Sequence, residues 1–468
     1  MQMGCFLKKD LKKWIFTIIM IFLLLILFES IMISLPTEIR YVIVVLIFTV
    51  WLLLIELFPS TIVMLIALLL LFLTPKIEYS LVLSGFSSDG FMLIFFSLFL
   101  ISILKETSIP VRIVYFVIRQ ADKSHFKLLS SILIISQIMS FIIPATAVRA
   151  NILVEFIENI TEYLDDIDEE YYVKKIYFLT LAIGLNISSV VVITASISNI
   201  ITIEFLIIYT GEKISYLKWF VLMVPLWLSL ICITWILMAS LLKRKVPIGT
   251  KINKIETKKL SKLTTQEYLI TGCIVFAIIF WMFQGSHELP LSFPLILVIV
   301  FLSIIKVIDW ETINTIKVDL LLFVGVSLTL GNIIQEIEVI QYFYELIPGT
   351  YIEYLLKSPL IMFTLIIILV HFVHLFVPNI QTLTLIAIPL VITFSQSEPN
   401  ILLPAVLVTS VTCTFGFLLS VQTISNLIVY TSTSYLTQKD FILSGSILIL
   451  ISSILTLIIS FFIWIPLL

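Results

Sequence analysis

Two runs of small polar residues interrupt an otherwise apolar chain: Asn186, Ser188, Ser189, Thr194, Ser196, Ser198 and Asn199, then Thr412, Thr414, Ser420, Gln422, Thr423, Ser425 and Asn426. Backbone that unwinds at membrane depth must be buried in protein or line a wet cavity. In such a place, freed carbonyls and Asn or Ser oxygens can hold a hard cation such as Na⁺. Half-helix N-termini offer N–H donors and a positive dipole end to an anion. For any single residue the plainer reading is that Ser, Thr and Asn join helices by hydrogen bonds. The pair Asn199 and Asn426, placed alike in the two runs, favours the functional one.

Arg149 is the third feature with chemistry, five residues after Pro144. An arginine within a membrane costs ~2.5 kcal/mol or far more unless it is paired, watered or snorkelling, which makes it a functional candidate. Its fork of donors suits a carboxylate or sulfate. The alternatives are that it snorkels to the cytoplasmic surface or pairs with Glu155 or Glu158. His371 and His374 stand at an H-x-x-H spacing, but a metal site needs more ligands and a proton relay needs acidic neighbours. A packing role is expected for both. Cys5, Cys232, Cys273 and Cys413 show no spacing that suggests a metal site or a disulfide framework.

The elements that must position these residues follow from composition. A chain of 468 residues that is 60% hydrophobic and 12% charged, with mean hydropathy +1.18, cannot hide its apolar side chains in an aqueous core. The reading is an all-α polytopic membrane protein with about eleven spans, near 14–34, 41–58, 60–74, 89–105, 173–209, 217–242, 266–284, 290–306, 318–334, 401–436 and 441–466. The polar runs interrupt the spans 173–209 and 401–436. Two further segments, 128–160 and 358–396, break at Pro144 and Pro378, where a helix loses a hydrogen bond. An arm from Leu128 to Ile143 reaches about 24 Å, short of a ~30 Å hydrocarbon core, so both segments are expected to be re-entrant hairpins.

With the N-terminus inside, most of the 28 Lys and Arg fall on the cytoplasmic side, as the positive-inside rule requires, and the C-terminus falls outside. The basic N-terminus lacks a cleavage site after its long apolar stretch and is read as a retained first helix. The acidic run Glu162 to Glu170 reads as a solvated loop. The basic stretch 105–127 and the stretch 335–353 read as interfacial helices on opposite sides.

The chain divides into a basic segment and first helix (1–36), a first repeat (37–243), a basic cytoplasmic loop (244–264) and a second repeat (265–468). Asp89 to Glu106 aligns with Asp319 to Glu336 at an offset of 230, Pro144-Ala-Thr-Ala with Pro378-Asn-Ile-Gln at 234, and Ser196-Ile-Ser-Asn199 with Thr423-Ile-Ser-Asn426 at 227. The spans at 89–105 and 318–334 run in opposite directions, so the repeats are inverted, a common transporter architecture with its site near the midplane.

The segment Phe417-Leu-Leu-Ser-Val-Gln-Thr-Ile-Ser-Asn426-Leu-Ile-Val-Tyr followed by Tyr435-Leu-Thr-Gln-Lys-Asp440 resembles the C-terminal signature of the divalent-anion/sodium symporters. Gly85-Phe-Ser to Ile109 and Asp319 to Glu336 are similar to that family's paired scaffold-to-transport connections. The resemblance covers nearly the whole chain after the first helix. It implies hairpin tips carrying Ser-Asn-Thr that contact anion and sodium. Here the tips read Pro144-Ala145-Thr146 and Pro378-Asn379-Ile380, followed by Gln381 and Thr382, so only Thr146 and Asn379 keep the expected types and Ala145 cannot offer an amide oxygen to a first sodium. Ser198 and Ser425 stand where the family often has a proline.

Residue chemistry and resemblance together assign Thr146, Arg149, Asn379, Thr382 and Thr423 to the substrate, and Ser198, Asn199, Asn379, Ser425 and Asn426 to a cation. The resemblance also implies a homodimer. No cofactor is expected beyond Na⁺ as coupling ion, and the partners are a small anion and the bilayer, not nucleic acid. Low Gly and abundant Ile and Lys point to an AT-rich bacterial genome.

The leading expectation is cation-coupled symport of a small anion such as a dicarboxylate, by motion of one part of each repeat against a fixed scaffold. Anion exchange, proton coupling or Na⁺/H⁺ antiport on the same fold are the alternatives. No G-x-x-x-x-G-K-[ST] indicates an ATP motor, and no G-x-S-x-G or H-E-x-x-H indicates an intramembrane enzyme. A receptor-like scaffold would leave the symmetric polar runs unexplained.

Overall fold

The computed structural model describes residues 2–26, 35–55, 57–121, 124–143, 145–161, 170–246, 262–284, 289–307, 318–339, 357–377, 379–395 and 398–468. Pro144, Pro378, the acidic run 162–169, the basic loop 247–261 and the segment 340–356, on which several expectations rest, lie outside the described residues. The described residues form helices and no strands.

In chain order the helices are α1 (Gln2–Ile26), α2 (Thr37–Ile55), α3 (Ser60–Phe72), α4 (Tyr79–Val82), α5 (Asp89–Lys105), α6 (Ile109–Ile118), α7 (His125–Ile142), α8 (Thr146–Thr161), α9 (Glu170–Ser188) and α10 (Ile197–Thr210). Then come α11 (Tyr216–Lys243), α12 (Thr265–Met282), α13 (Phe293–Ile304), α14 (Val318–Glu336), α15 (Pro359–His374), α16 (Ile380–Ser395), α17 (Pro399–Thr414), α18 (Ile424–Ser432) and α19 (Gln438–Ile459). Among the described residues six helices are long and apolar enough to cross a membrane, or up to seven if α5 and the stretch Ile109–Ala121, bent by 70° from it, count as one. The expected breaks fall where the polar runs lie, between α9 and α10 and between α17 and α18.

The first arm of the first expected hairpin begins at His125, earlier than its hydropathy suggested, and its 18 residues put it among the helices long enough to span. Arm length therefore does not separate a hairpin from two spans. His125 joins the helix because its ring nitrogen meets the Tyr177 hydroxyl at 2.8 Å, which lets a polar residue be buried there.

The helices gather into two groups. In one, α2, α3, α5, α13 and α14 pack together, with the 3₁₀ turn Ser84–Ser87 seated on α14. In the other, α7 and α8 pack on α9, α15 and α16 pack on α17, α8 reaches α18, and α16 reaches α10. Each expected hairpin thus packs on the broken helix of its own half and touches the half-helix that follows the other break. The two groups meet mainly where α10 lies against α5 and α14.

The Gly85 N–H donates to the Thr329 hydroxyl at 3.2 Å, and a Cβ at Gly85 would stand 2.2 Å from the Gly325 carbonyl oxygen and 2.3 Å from the Thr329 nitrogen. Both obstacles are backbone and cannot rotate away. Gly85→Ala is expected to lower stability by about 1–3 kcal/mol, the usual range for overpacking, read as a fall in the thermal midpoint in detergent. An unchanged midpoint would contradict this close approach.

The C-terminal signature acts as a structural clasp. Thr437 and Asp440 form a capping box at the start of α19, with the Asp440 carboxylate accepting from the Thr437 N–H at 2.8 Å. Lys175, at the start of α9, pairs with Asp440 at 2.8 Å, and Tyr435 packs on Tyr171 and Phe178. The entries to the last helix and to the first broken helix are thereby tied together.

Candidate functional site

The two breaks are built alike. Where α9 ends at Ser188 the chain unwinds, and α10 restarts with Ser196 as its N-cap; where α17 ends at Thr414, α18 restarts with Thr423 as its N-cap. Each unwound stretch leaves carbonyls without helical partners. In the first break the Asn199 amide donates to the Ser189 carbonyl at 2.7 Å and the Val192 carbonyl at 2.9 Å. In the second, the Asn426 amide donates to the Gly416 carbonyl at 2.6 Å and the Leu419 carbonyl at 3.3 Å. In both cases the acceptors lie ten and seven residues before the asparagine. These asparagines therefore hold the unwound backbone in shape, by the same register in both halves.

Side chains tie the halves together at the breaks. Asn186 donates to the Asn426 amide oxygen at 2.8 Å, and Ser425 donates to the Asn186 oxygen at 3.3 Å. The Ser198 and Thr384 hydroxyls meet at 2.5 Å, and Thr202 donates to Ser410 at 3.2 Å. Ser198, Asn199, Ser425 and Asn426 are all buried.

Arg149 neither snorkels nor pairs with Glu155 or Glu158, both of which are exposed. Its guanidinium is 0% exposed and faces the first break. It donates to the Ile143 carbonyl at 2.8 Å, the Thr146 hydroxyl at 3.1 Å, the Ser189 hydroxyl at 3.3 Å and the Ala195 carbonyl at 3.2 Å, while Nε has no partner. No carboxylate among the described residues neutralises it. Its acceptors are two carbonyl and two hydroxyl oxygens drawn from the first tip and the first break.

Asn379, Thr382 and Thr423 come together elsewhere. They line an open cleft of about 750 Å³ whose opposite wall is the α2–α3 turn, with Phe58, Pro59 and Ser60. Asn379 caps α16 through its side-chain oxygen, which accepts from the Gln381 N–H at 2.9 Å and the Thr382 N–H at 3.2 Å. The Thr382 hydroxyl is buried without a partner, and the Thr423 hydroxyl lies 3.1 Å from that of Ser425. Thr146 and Arg149 do not line this cleft.

Sequence reasoning left Asn186, Ser189 and Gln422 out of the site, although all three stand in the polar runs. Gln422 accepts from the Leu418 and Leu419 N–H groups at 2.9 Å each and so shapes the second break. The Ala195 carbonyl carried no side-chain signal at all. Glu204, a buried acid in the apolar helix α10, was likewise passed over. His371 reaches Ser453 at 3.3 Å and His374 the Gln422 carbonyl at 3.4 Å, and no group of three metal-ligating side chains occurs among the described residues.

Broken helices face paired helical arms, beside a buried cation that no carboxylate among the described residues neutralises and a cleft with a polar floor. The family described as "Sodium:sulfate symporter transmembrane region" matches residues 10–468, and the chain belongs to that family of transporters. A "Membrane protein" of Cupriavidus necator is 21% identical over 76% of this chain and 72% of that one. L-tartrate/succinate antiporters are similar as well: that of Shigella sonnei is 22% identical and that of Escherichia coli K12 21%, each over 82% of this chain and 80% of its own. The crystal structure of the Alcanivorax borkumensis YdaH transporter, described as having an unusual topology, superposes with a TM-score of 0.59 at 10% identity, covering 81% of this chain and 87% of that one. That likeness concerns fold alone. The family and these relatives are transporters, which supports an anion transporter here.

Proposed function

We propose that the chain carries small dicarboxylates across a bacterial cytoplasmic membrane, with Arg149 as a tethered cation in the first half. The observation that carries this reading is a guanidinium wholly buried with no carboxylate partner among the described residues. An unneutralised charge in a low-dielectric interior is costly, and an arriving anion supplies the missing counter-charge. Thr146 and Ser189 carry the guanidinium's polarity toward the break, while Asn379, Thr382 and Thr423 offer polar contacts from the cleft.

The oxygens around Arg149 are of the type a sodium ion would take, so in the first half the side chain stands in for a mobile cation. Around the second break, Asn379, Ser425 and Asn426 would have to trade their present hydrogen bonds to take a single Na⁺. One fixed positive charge in place of a co-transported one weakens the case for sodium-driven symport. It favours exchange of one dicarboxylate for another, in keeping with the antiporter names of the relatives. The inverted repeat is supported by the equal register of Asn199 and Asn426 and by the reciprocal packing of α8 on α18 and α16 on α10. With the cationic loops inside, the N-terminus is cytoplasmic, the C-terminus external, and the cleft beside the α2–α3 turn opens inward. A homodimer is carried over from the family resemblance.

Purified protein in liposomes, loaded or not with succinate, tests this with labelled succinate, tartrate, citrate and sulfate outside, with and without a Na⁺ gradient. Uptake of a dicarboxylate is expected to be much faster into succinate-loaded vesicles and little changed by the gradient. Uptake driven by Na⁺ into empty vesicles would restore symport. No uptake of any of the four would sink the carrier reading.

A further inference from the structure

The cleft beside the α2–α3 turn has a second wall whose chemistry the site above does not use. Its floor, from Asn379, Thr382 and Thr423, belongs to the helix group of α16 and α18, whereas the opposite wall is the start of α3, in the other group. Three helices therefore begin on one cleft: α16 of 16 residues, α18 of 9 and α3 of 13. Each brings about half an elementary positive charge to its first turn.

The three starts differ in one respect. Asn379 caps α16, and the Thr423 side chain caps α18 by accepting from the Asn426 N–H at 3.1 Å. Helix α3 follows Pro59 and has no side-chain cap. The Pro59 carbonyl takes the Ile62 and Val63 N–H groups at 2.9 Å and 3.2 Å, so the Ser60 and Thr61 N–H groups stand ahead of the first helical carbonyl. Ser60 is exposed and lines the cleft.

An uncapped helix start is not by itself a site, and the rest comes from across the cleft. There the Thr382 hydroxyl is buried at 1% exposure without a partner, a polar group that costs stability unless a ligand meets it. No charged side chain lines the cleft among the described residues, and apart from Ser60 and the three floor residues its lining is apolar. The two walls thus offer an anion helix ends and hydrogen-bond donors, with apolar surface for the rest of the ligand. That pattern suits a short carbon chain with a carboxylate at each end.

We propose that the start of α3 is a substrate subsite: one carboxylate of a dicarboxylate takes the Thr382 hydroxyl and the floor, and the other lies on the Ser60 and Thr61 N–H groups. This deepens the dicarboxylate reading of the cleft and rests on it. Arg149, which does not line the cleft, is a separate contact. An anion held this way bridges the two helix groups, so the α3 contact must break before one group moves against the other.

Protection of the thermal midpoint by potassium succinate in detergent reads this on the full-length protein, with potassium butyrate correcting for salt and for a single carboxylate. Ser60→Asp sets a rival anion on the subsite yet suits the first turn of a helix, so the fold should hold while succinate binds about fivefold or more weaker. Ser60→Asn, of the same size and uncharged, should weaken binding less. Thr382→Val removes a hydroxyl that has no partner, so stability should not fall while succinate binding weakens about tenfold or more. Succinate that protects wild type no better than butyrate does would overturn the subsite, as would a Ser60→Asp variant that binds succinate as well as wild type or no worse than Ser60→Asn. The expected pattern of protection in a protein whose liposomes take up no dicarboxylate would count against the carrier reading alone.

Discussion

Arg149→Gln is expected to abolish dicarboxylate uptake by correctly inserted protein. Glutamine is shorter, uncharged and able to donate to at most two of the four oxygens the guanidinium now reaches, so the first break loses both its fixed positive charge and its brace. Each carbonyl left without a donor in a buried place costs about 1–3 kcal/mol, so a lowered thermal midpoint should accompany the lost transport. Arg149→Lys separates the two contributions. Lysine keeps the charge but not the planar fork. If the charge is what matters, Arg149→Lys exchanges dicarboxylates at a reduced rate; if the fork is what matters, it is as inactive as Arg149→Gln. Normal uptake by inserted, folded Arg149→Gln protein would remove Arg149 from the mechanism.

How far the sequence revealed this arrangement depends on which force fixed each residue. The broken helices were legible because small polar residues at membrane depth have few explanations. The correspondence of Asn199 with Asn426 was legible because one offset aligned them, and the same offset carries Ser189 onto Gly416 and Val192 onto Leu419, the carbonyls these asparagines hold. What those amides do was not legible. The expectation of cation ligands concerns the side-chain oxygens, while the amide N–H groups of both side chains are spent on backbone whose position only the fold supplies.

Arg149 was recognised as out of place, but its destination depended on the Ala195 carbonyl, which no side chain advertises. The start of α7 was missed because His125 reads as polar until Tyr177, far along the chain, is seen to satisfy it. Glu204 was a plain signal that was passed over, because it stood outside both polar runs. Its carboxyl packs against Gly90, a contact between distant segments that periodicity does not record.

Asn426→Ala is the second large effect, and the stability loss should exceed that of Asn199→Ala. Both substitutions strip two unwound carbonyls of their donor, but Asn426 also accepts from Asn186 at 2.8 Å, so its loss orphans a third buried group and cuts one of the links between the halves. At about 1–3 kcal/mol for each buried polar group left without a partner, the loss is roughly 3 kcal/mol or more for Asn426 and less for Asn199. Thermal unfolding in detergent measures both.

Asn426→Asp sharpens the test, since it is nearly the same shape. A carboxylate there would set its oxygens against the Gly416 and Leu419 carbonyls, repelling the acceptors that the amide now holds. If the amide is chiefly a brace, Asn426→Asp is less stable than Asn426→Ala at any sodium concentration. If its oxygen is chiefly a cation ligand, the added negative charge strengthens the site and sodium rescues the Asp variant but not the Ala variant. The N–H donation in both halves predicts the first result. Rescue by sodium would return Asn426 to the cation and reopen sodium-coupled symport.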